Sequence, residues 1–316
     1  MQKAFWFAAA LVLVWAVLSR PAGKNHGSRF ERAFSFDSDR VAVLPLDGEI
    51  VSAAATIHWL RRFGEEVGGV KVIVLSLDTP GGAVAPSQEI YQEILRLRKD
   101  DGVKVVAAMG SMAASGGYYI ASACDEIVAD PGTVTGSIGV IMDSFEVHRL
   151  MDRLGLVSQV VKSAEFKDAG SPFRAMTPRD RAVFQGTIND VYDQFVGDVA
   201  LGRREPLSKV LAKRTGRKAS DITDSEIKAY VKSLADGRIY TGRQAFRLGL
   251  VDSLGGLQDA VDLGATLAGV KNPQVVTVRE TRSFAELFTG MNHAQWGAFL
   301  RQTFLGTAPR LSYLFR

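Results

Sequence analysis

One serine, Ser115, lies within residues 110–121 (GSMAASGGYYIA), shortly after the apolar run of residues 103–108. Small residues around a hydroxyl allow another molecule to come close to the backbone. At the junction between a strand and a helix, a serine also lies beside backbone N–H groups that the helix itself does not use. The pattern therefore makes Ser115 a candidate nucleophile.

A second glycine-rich turn, residues 78–82 (DTPGG), ends the neighbouring apolar run. Two N–H groups, one from Gly82 and one beside Ser115, could converge on a single carbonyl oxygen and form an oxyanion hole. Glycine there would leave room for a substrate carbonyl. The same glycines are also consistent with close packing of helices on strands, or with a phosphate-binding turn. Spacing alone leaves these alternatives open.

A serine nucleophile needs a base, and none of the four histidines lies in a comparable setting. Lys167 lies in a segment bounded by glycine and proline, residues 163–174 (SAEFKDAGSPFR). Burial would favour the neutral amine that a base requires. Ser137, in the run TGSIG, could orient that amine. The alternatives are a surface lysine beside Asp168 and an ordinary glycine turn at Ser137.

The overall composition predicts a folded protein, with 47% hydrophobic and 23% charged residues in 316. The net charge is +4, but the basic residues are scattered, which disfavours a nucleic-acid surface. Cys124 is the single cysteine, and the histidines lie far apart. These counts exclude an intramolecular disulfide and offer no zinc-binding spacing.

An apolar run opens the chain, since residues 4–19 carry no charge and Arg20 follows them. This pattern is typical of a signal peptide or a membrane anchor, and the lack of an A-x-A cleavage site favours an uncleaved anchor over residues 1–19. The flanking charges do not determine its orientation. Residues 20–39 are then expected to be a linker.

The rest of the chain divides into a main domain, residues 40–270, and a tail, residues 271–316. Alternating strand-like and helical runs predict a mainly parallel α/β core. After Pro178, apolar residues spaced by three and four predict a long amphipathic helix. Residues 203–218 contain seven basic residues, most simply a solvated helical face. From Phe284 the tail is rich in aromatic residues and could pack on the body, a neighbouring subunit or a membrane.

Five motifs occur together and in order: residues 78–82, 110–121, 135–140, 163–174 and 236–256. In this combination the chain resembles the signal peptide peptidase A family of membrane-anchored serine peptidases. The resemblance implies a ClpP/crotonase-like α/β fold and a Ser/Lys dyad that needs no metal or other cofactor. It makes Ser115 the nucleophile, Lys167 the general base and Ser137 the residue that orients the lysine, with the N–H groups of Gly82 and Ser115 as the oxyanion hole.

The resemblance also implies substrates and partners. Signal peptide remnants and other extended apolar peptides would be cleaved on the outer side of a bacterial plasma membrane. The chain has the length of the family's single-unit form, so by analogy with the tandem form Ser115 and Lys167 would meet across neighbouring protomers of a homo-oligomer. Two alternatives are a crotonase-like acyl-CoA enzyme and a catalytically silent membrane scaffold, and the serine and lysine together disfavour both.

Overall fold

The computed structural model describes residues 39–66, 69–278 and 310–314. They form an α/β structure, as the alternation of strands and helices predicts. The predicted anchor, residues 1–19, lies outside the described residues, as does nearly all of the predicted linker. Among the helices that are described, none is long and apolar enough to cross a membrane.

The strands are short apart from those at the centre of the main sheet. In chain order they are β1 Arg40–Asp47, β2 Val70–Thr79, β3 Gly81–Ala83, β4 Lys104–Ala114, β5 Glu126–Ala129, β6 Val134–Gly136, β7 Ile141–Asp143, β8 Ile239–Thr241, β9 Ser253–Leu254, β10 Gln274–Thr277 and β11 Arg310–Leu314.

The helices alternate with these strands up to β5 and dominate after β7. They are α1 Ala54–Arg61, α2 Val84–Arg96, α3 Gly116–Ala121, α4 His148–Arg153, α5 Pro178–Gly202, α6 Arg204–Thr215, α7 Asp224–Leu234, α8 Gly242–Leu248 and α9 Leu257–Leu267. Short 3₁₀ helices span Glu165–Asp168 and Ala219–Asp221, and single π-helical turns, Arg62–Glu66 and Leu97–Asp101, follow α1 and α2.

Six strands of the main sheet follow the order β10-β1-β2-β4-β5-β9 and are parallel to one another. β6 adds to it in parallel beside the end of β4, and β8 pairs with β6 in the antiparallel direction. Successive side chains of each central strand point alternately into two hydrophobic cores, one on each face of the sheet. Val72 and Val74 pack under α9, whereas Ile73, Leu75 and Leu77 face the larger core below the other helices. Burial on both faces explains the continuous apolar runs in the sequence.

A second, smaller sheet lies beside the first and has the order β3-β11-β7. Both of its pairings are antiparallel, so β11 is the central strand. β3 contains Gly81 and Gly82 of the glycine-rich turn, and β7 follows the turn that contains Ser137. The sequence does not predict this sheet. Within residues 137–142 (SIGVIM), only Ile141 and Met142 lie in a strand, β7.

The predicted long amphipathic helix is confirmed as α5, which buries Val191, Phe195 and Val199. The expectation of a solvated basic face over residues 203–218 is wrong at its first residue. Arg203 is fully buried and pairs with Asp252, which lies just before β9. A charged side chain can be buried in this way because an opposite charge lies against it.

Candidate active site

Ser115 lies between the end of β4 and the start of α3 and has an unusual backbone conformation. Its φ is 53° and its ψ is −114°, a region that side chains rarely adopt. Only 1% of the residue is exposed. Its hydroxyl does not cap α3. The local structure thus holds the serine in a strained conformation and does not use its hydroxyl to stabilise the helix.

The two glycine-rich segments meet at this point. A Cβ added to Gly116 would lie 3.3 Å from the backbone nitrogen of Gly82 and 2.7 Å from Oγ of Ser87. Gly82 itself lies against Ile50, whose carbonyl oxygen would be 2.2 Å from a Cβ at position 82. Close packing of the chain therefore requires glycine at both positions, and the same packing brings the N–H of Gly82 next to the serine turn.

The N–H groups at the turn are not equally available. The N–H of Ser115 donates to the carbonyl oxygen of Gly136 at 2.8 Å, so in this structure it is occupied by the pairing of β4 with β6. The next N–H, that of Gly116, opens α3 and has no acceptor four residues back within the helix. No backbone acceptor for it is found elsewhere among the described residues. Of these two N–H groups, only that of Gly116 is without a backbone acceptor among the described residues.

Ser137 is brought close to Ser115, because Gly136 accepts the Ser115 hydrogen bond. Ser137 also has a positive φ, 51°, and is largely buried. Its own N–H donates to the carbonyl oxygen of Arg238 at 2.8 Å. Each serine is thus fixed by a backbone hydrogen bond.

Lys167 lies on the 3₁₀ helix Glu165–Asp168 and is exposed, so the expected burial is not found within one chain. The neighbouring carboxylate does not pair with it. Asp168 instead accepts hydrogen bonds from Lys162 at 2.7 Å and from Arg174 at 2.9 Å. Within the described part of the chain, the Lys167 amine has no ion-pair or hydrogen-bond partner. The structure does not place it against Ser115.

The lysine segment is held by a cluster of charges. Hydrogen bonds from Arg174 and then from Lys162 lower the pKa of Asp168 to about 2. Arg174 also binds Asp180, in the first turn of α5, and this bond lowers the pKa of Asp180. Both carboxylates are therefore charged at neutral pH, and Arg174 ties the segment to α5.

An apolar surface precedes the lysine. We call residues 145–166 the arm; it contains α4. Its large apolar side chains that face solvent are Phe145, Leu150, Leu154, Leu156, Val157, Val160, Val161 and Phe166. Val157 is 82% exposed. A segment that exposes this many large apolar side chains is a candidate interaction surface.

Three residues near the turn were not singled out from the sequence. Ser87 is buried, donates its hydroxyl to the carbonyl oxygen of Ala83 at 2.9 Å and lies against Gly116. Thr79 accepts the Gly81 N–H at 3.0 Å. Burial, and then the charge of Asp78, raises the pKa of Asp47 at the end of β1. Thr79 lies within the glycine-rich turn and Ser87 follows it in sequence, so a polar residue in or just after such a turn is the signal that could have indicated both.

Similarity to known proteins identifies the family of this chain. Residues 97–220 and 225–271 match peptidase family S49. The chain belongs to this family. The match includes Ser115, Ser137 and Lys167, whereas Gly82 precedes it.

Individual relatives in the family carry protease names. A Synechocystis sp. (strain ATCC 27184 / PCC 6803 / Kazusa) protein named as a protease is 40% identical over 79% of this chain and 83% of its own length. An Enterococcus faecium protein named as signal peptide peptidase SppA is 34% identical over 73% of this chain and 61% of its own length. The solved membrane-bound stomatin-specific protease 1510-N is 16% identical over 78% of this chain, with a TM-score of 0.46. The first two relatives support the conclusion that this chain is a protease of the SppA type.

Proposed function

We propose that this protein is a membrane-anchored serine endopeptidase that hydrolyses extended apolar peptides, including cleaved signal peptides, with a Ser115/Lys167 dyad. The observation that carries the proposal is the backbone of Ser115. Its strained φ of 53° costs stability, and its hydroxyl does not cap the helix it precedes. Strain that persists in a native structure is concentrated at functional sites. The domain would have a ClpP/crotonase-like fold over residues 40–270.

The proposed reaction begins when the neutral amine of Lys167 takes the proton of the Ser115 hydroxyl. The Ser115 oxygen then attacks the peptide carbonyl, and the carbonyl oxygen receives hydrogen bonds from the N–H groups of Gly82 and Gly116. Gly116 replaces Ser115 as the second donor because the Ser115 N–H already binds Gly136. Protonated Lys167 gives its proton to the leaving amine, and a water molecule that the lysine activates hydrolyses the acyl-enzyme.

We propose that the lysine is supplied by a neighbouring copy of the chain. Lys167 is exposed, and the arm that leads to it exposes eight large apolar side chains. A second protomer packed on the arm would remove that surface from water and bury the amine, which favours the neutral form that a base requires. Ser137 would then orient the incoming amine. The active form in this proposal is a homo-oligomer.

The proposed location is the outer face of a bacterial plasma membrane, with residues 1–19 as a single-pass anchor. This part of the proposal depends on the apolar run at the start of the sequence and on the SppA name of a relative. The substrates would be peptides left at the membrane. No cofactor is required, because every proton in the reaction is carried by Ser115, Lys167 or water.

A serine-reactive fluorophosphonate probe tests this proposal. We expect it to label the wild-type full chain and to leave Ser115→Ala unlabelled. Ser220→Ala, which changes an exposed serine on the 3₁₀ helix Ala219–Asp221, should be labelled like the wild type. Hydrolysis of a fluorogenic apolar peptide should follow the same pattern. Absence of labelling in the wild type would contradict the proposal and would favour a silent scaffold or crotonase-like acyl-CoA chemistry, neither of which requires a reactive serine.

A further inference from the structure

The central strand of the smaller sheet comes from the segment furthest along the chain. β11 runs antiparallel between β3 and β7. In its register Tyr313 is opposite Gly82, and Ser312 is opposite both Ala83 on one side and Ile141 on the other. β3 is the strand of the glycine-rich turn. The strand therefore runs alongside the residues expected to bind a substrate carbonyl.

The direction of the Gly82 N–H follows from the hydrogen bonds of its neighbours. Ile50 donates its N–H to the carbonyl oxygen of Gly81 at 2.8 Å and accepts the N–H of Ala83 at 2.7 Å. Along a strand, the backbone groups of successive residues point to opposite sides. Since residues 81 and 83 bind Ile50, the N–H and carbonyl of Gly82 point the other way, towards Tyr313.

We propose that residues 310–314 are a built-in ligand of the peptide-binding cleft, an inference that depends on the proposed function of the same site. The backbone of Tyr313 faces the Gly82 N–H, the donor proposed for the substrate carbonyl. β3 and β7 present two strand edges to an extended segment between them, which is how peptides bind by strand addition. Helix α3, which follows Ser115, also contacts β11. β11 and a substrate peptide thus compete for the same position between β3 and β7.

A self-ligand lowers the apparent affinity for substrate in proportion to the time it is bound. If the strand occupies the cleft in about nine of ten molecules, the apparent KM is about tenfold higher than that of the open cleft. The turnover number is unaffected, because a saturating substrate displaces the strand. Competition therefore changes KM and leaves kcat alone.

The test in the full chain is Ser312→Pro. Proline removes a backbone N–H from the central strand, and its ring does not fit between two paired neighbours. We expect KM for a fluorogenic peptide to fall about tenfold with kcat unchanged. A KM equal to that of the wild type, in a variant with the wild-type circular dichroism spectrum, would overturn the proposal.

A synthetic peptide of residues 307–316 supplies the same strand in trans. It should inhibit Ser312→Pro competitively, and the same peptide with proline at position 312 should not. Its binding, followed by the fluorescence anisotropy of a labelled copy, should be strong to Ser312→Pro and weak to the wild type. Equal binding of the two peptides, or equal binding to both proteins, would contradict the proposal.

These measurements test the self-ligand proposal and the proposed peptidase activity independently of each other. Selective binding of the peptide without any hydrolysis would uphold the self-ligand and contradict the proposed activity, whereas hydrolysis with an unchanged KM would do the reverse. Should Ser312→Pro not fold, hydrogen exchange in the Ser115→Ala variant, which keeps the wild-type strand β11, decides. Amides 311–314 should be protected at rest and lose protection when a saturating substrate peptide is added to Ser115→Ala; protection that does not change would overturn the proposal.

Discussion

Ser115 and Ser137 are joined through the backbone, because the N–H of Ser115 donates to the carbonyl oxygen of Gly136 at 2.8 Å. In the part of the chain that the structure describes, these two serines are the non-glycine residues with positive φ. One hydrogen bond therefore links two strained turns, one at the end of β4 and one at the end of β6. A substitution that alters the backbone of one turn should therefore also alter the backbone of the other.

Replacing Ser115 by glycine should stabilise the protein while abolishing its activity. Glycine adopts φ 53°, ψ −114° without a steric penalty, whereas alanine keeps that penalty. We expect Ser115→Gly to gain about 1 kcal/mol in the free energy of unfolding. Ser115→Ala is the matched control, with equal loss of activity and no gain. Urea denaturation of both variants measures the difference, and equal stabilities would mean that the serine is not strained.

Inactive variants of the proposed dyad should complement each other in mixed oligomers. Ser115→Ala and Lys167→Ala should each lose activity by about 10³-fold or more. Co-expressed with different tags and purified through both, they should recover about a quarter of the wild-type activity, since one interface in four then joins an intact serine to an intact lysine. Mixed oligomers without activity would place both residues in one chain, and an active Lys167→Ala would exclude this lysine as the base.

A charge placed on the arm should separate the protomers without unfolding them. Val161 is fully exposed in the single chain, so Val161→Asp should leave the melting temperature nearly unchanged. If the arm is buried against a second copy, the aspartate must be desolvated there and the oligomer should dissociate and lose activity. Light scattering after gel filtration measures the mass. Leu201→Asp, on exposed surface outside the arm, is the control. An oligomer that survives Val161→Asp would exclude the arm as the interface.

The central strands and α5 could be predicted because their signals are local. Val72, Val74 and their neighbours form a continuous apolar run, and Phe195 and Val199 recur at helical spacing. The glycine-rich turns were also predicted. The sequence does not show why glycine is required at position 82, since the close approach of Ile50 to Gly82 depends on a pairing between segments about thirty residues apart.

The features that could not be predicted depend on distant partners. Arg203 is within a basic stretch that suggests solvent, and only the fold brings Asp252 to it. β11 is five residues long and its partners, β3 and β7, are more than 160 residues earlier in the chain. Lys167 is adjacent to Asp168 in sequence, yet that carboxylate binds Lys162 and Arg174. Charge patterns show which residues are charged and do not show which pair.

Removing the partner of Arg203 should be strongly destabilising. Asp252→Asn leaves a fully buried guanidinium without this charge partner, and such a change typically costs about 3–5 kcal/mol in the free energy of unfolding. Asp193→Asn is the control, because Asp193 and Lys232 are both exposed and 3.6 Å apart, and an exposed pair contributes less than about 1 kcal/mol. A cost at Asp252 no greater than at Asp193 would mean that another group neutralises Arg203.

Glu126, at the start of β5, should make the protein less stable as the pH rises. Burial, and then the charge of Asp252, raises the pKa of Glu126 from 4.5 to about 7. The folded state therefore binds a proton more tightly than the unfolded state, and stability falls as the pH rises from 4.5 through 7.

Glu126→Gln isolates this contribution because glutamine is uncharged at every pH. The variant and the wild type should be equally stable well below pH 4.5, where the Glu126 carboxyl is protonated in both the folded and the unfolded state. At pH 8 the variant should be more stable by about 1 kcal/mol, a value reduced for the partial solvent exposure of Glu126. Urea denaturation across this range measures the difference. A gain at Glu126 that is equal at both pH values would mean that ionisation of this carboxyl does not oppose folding.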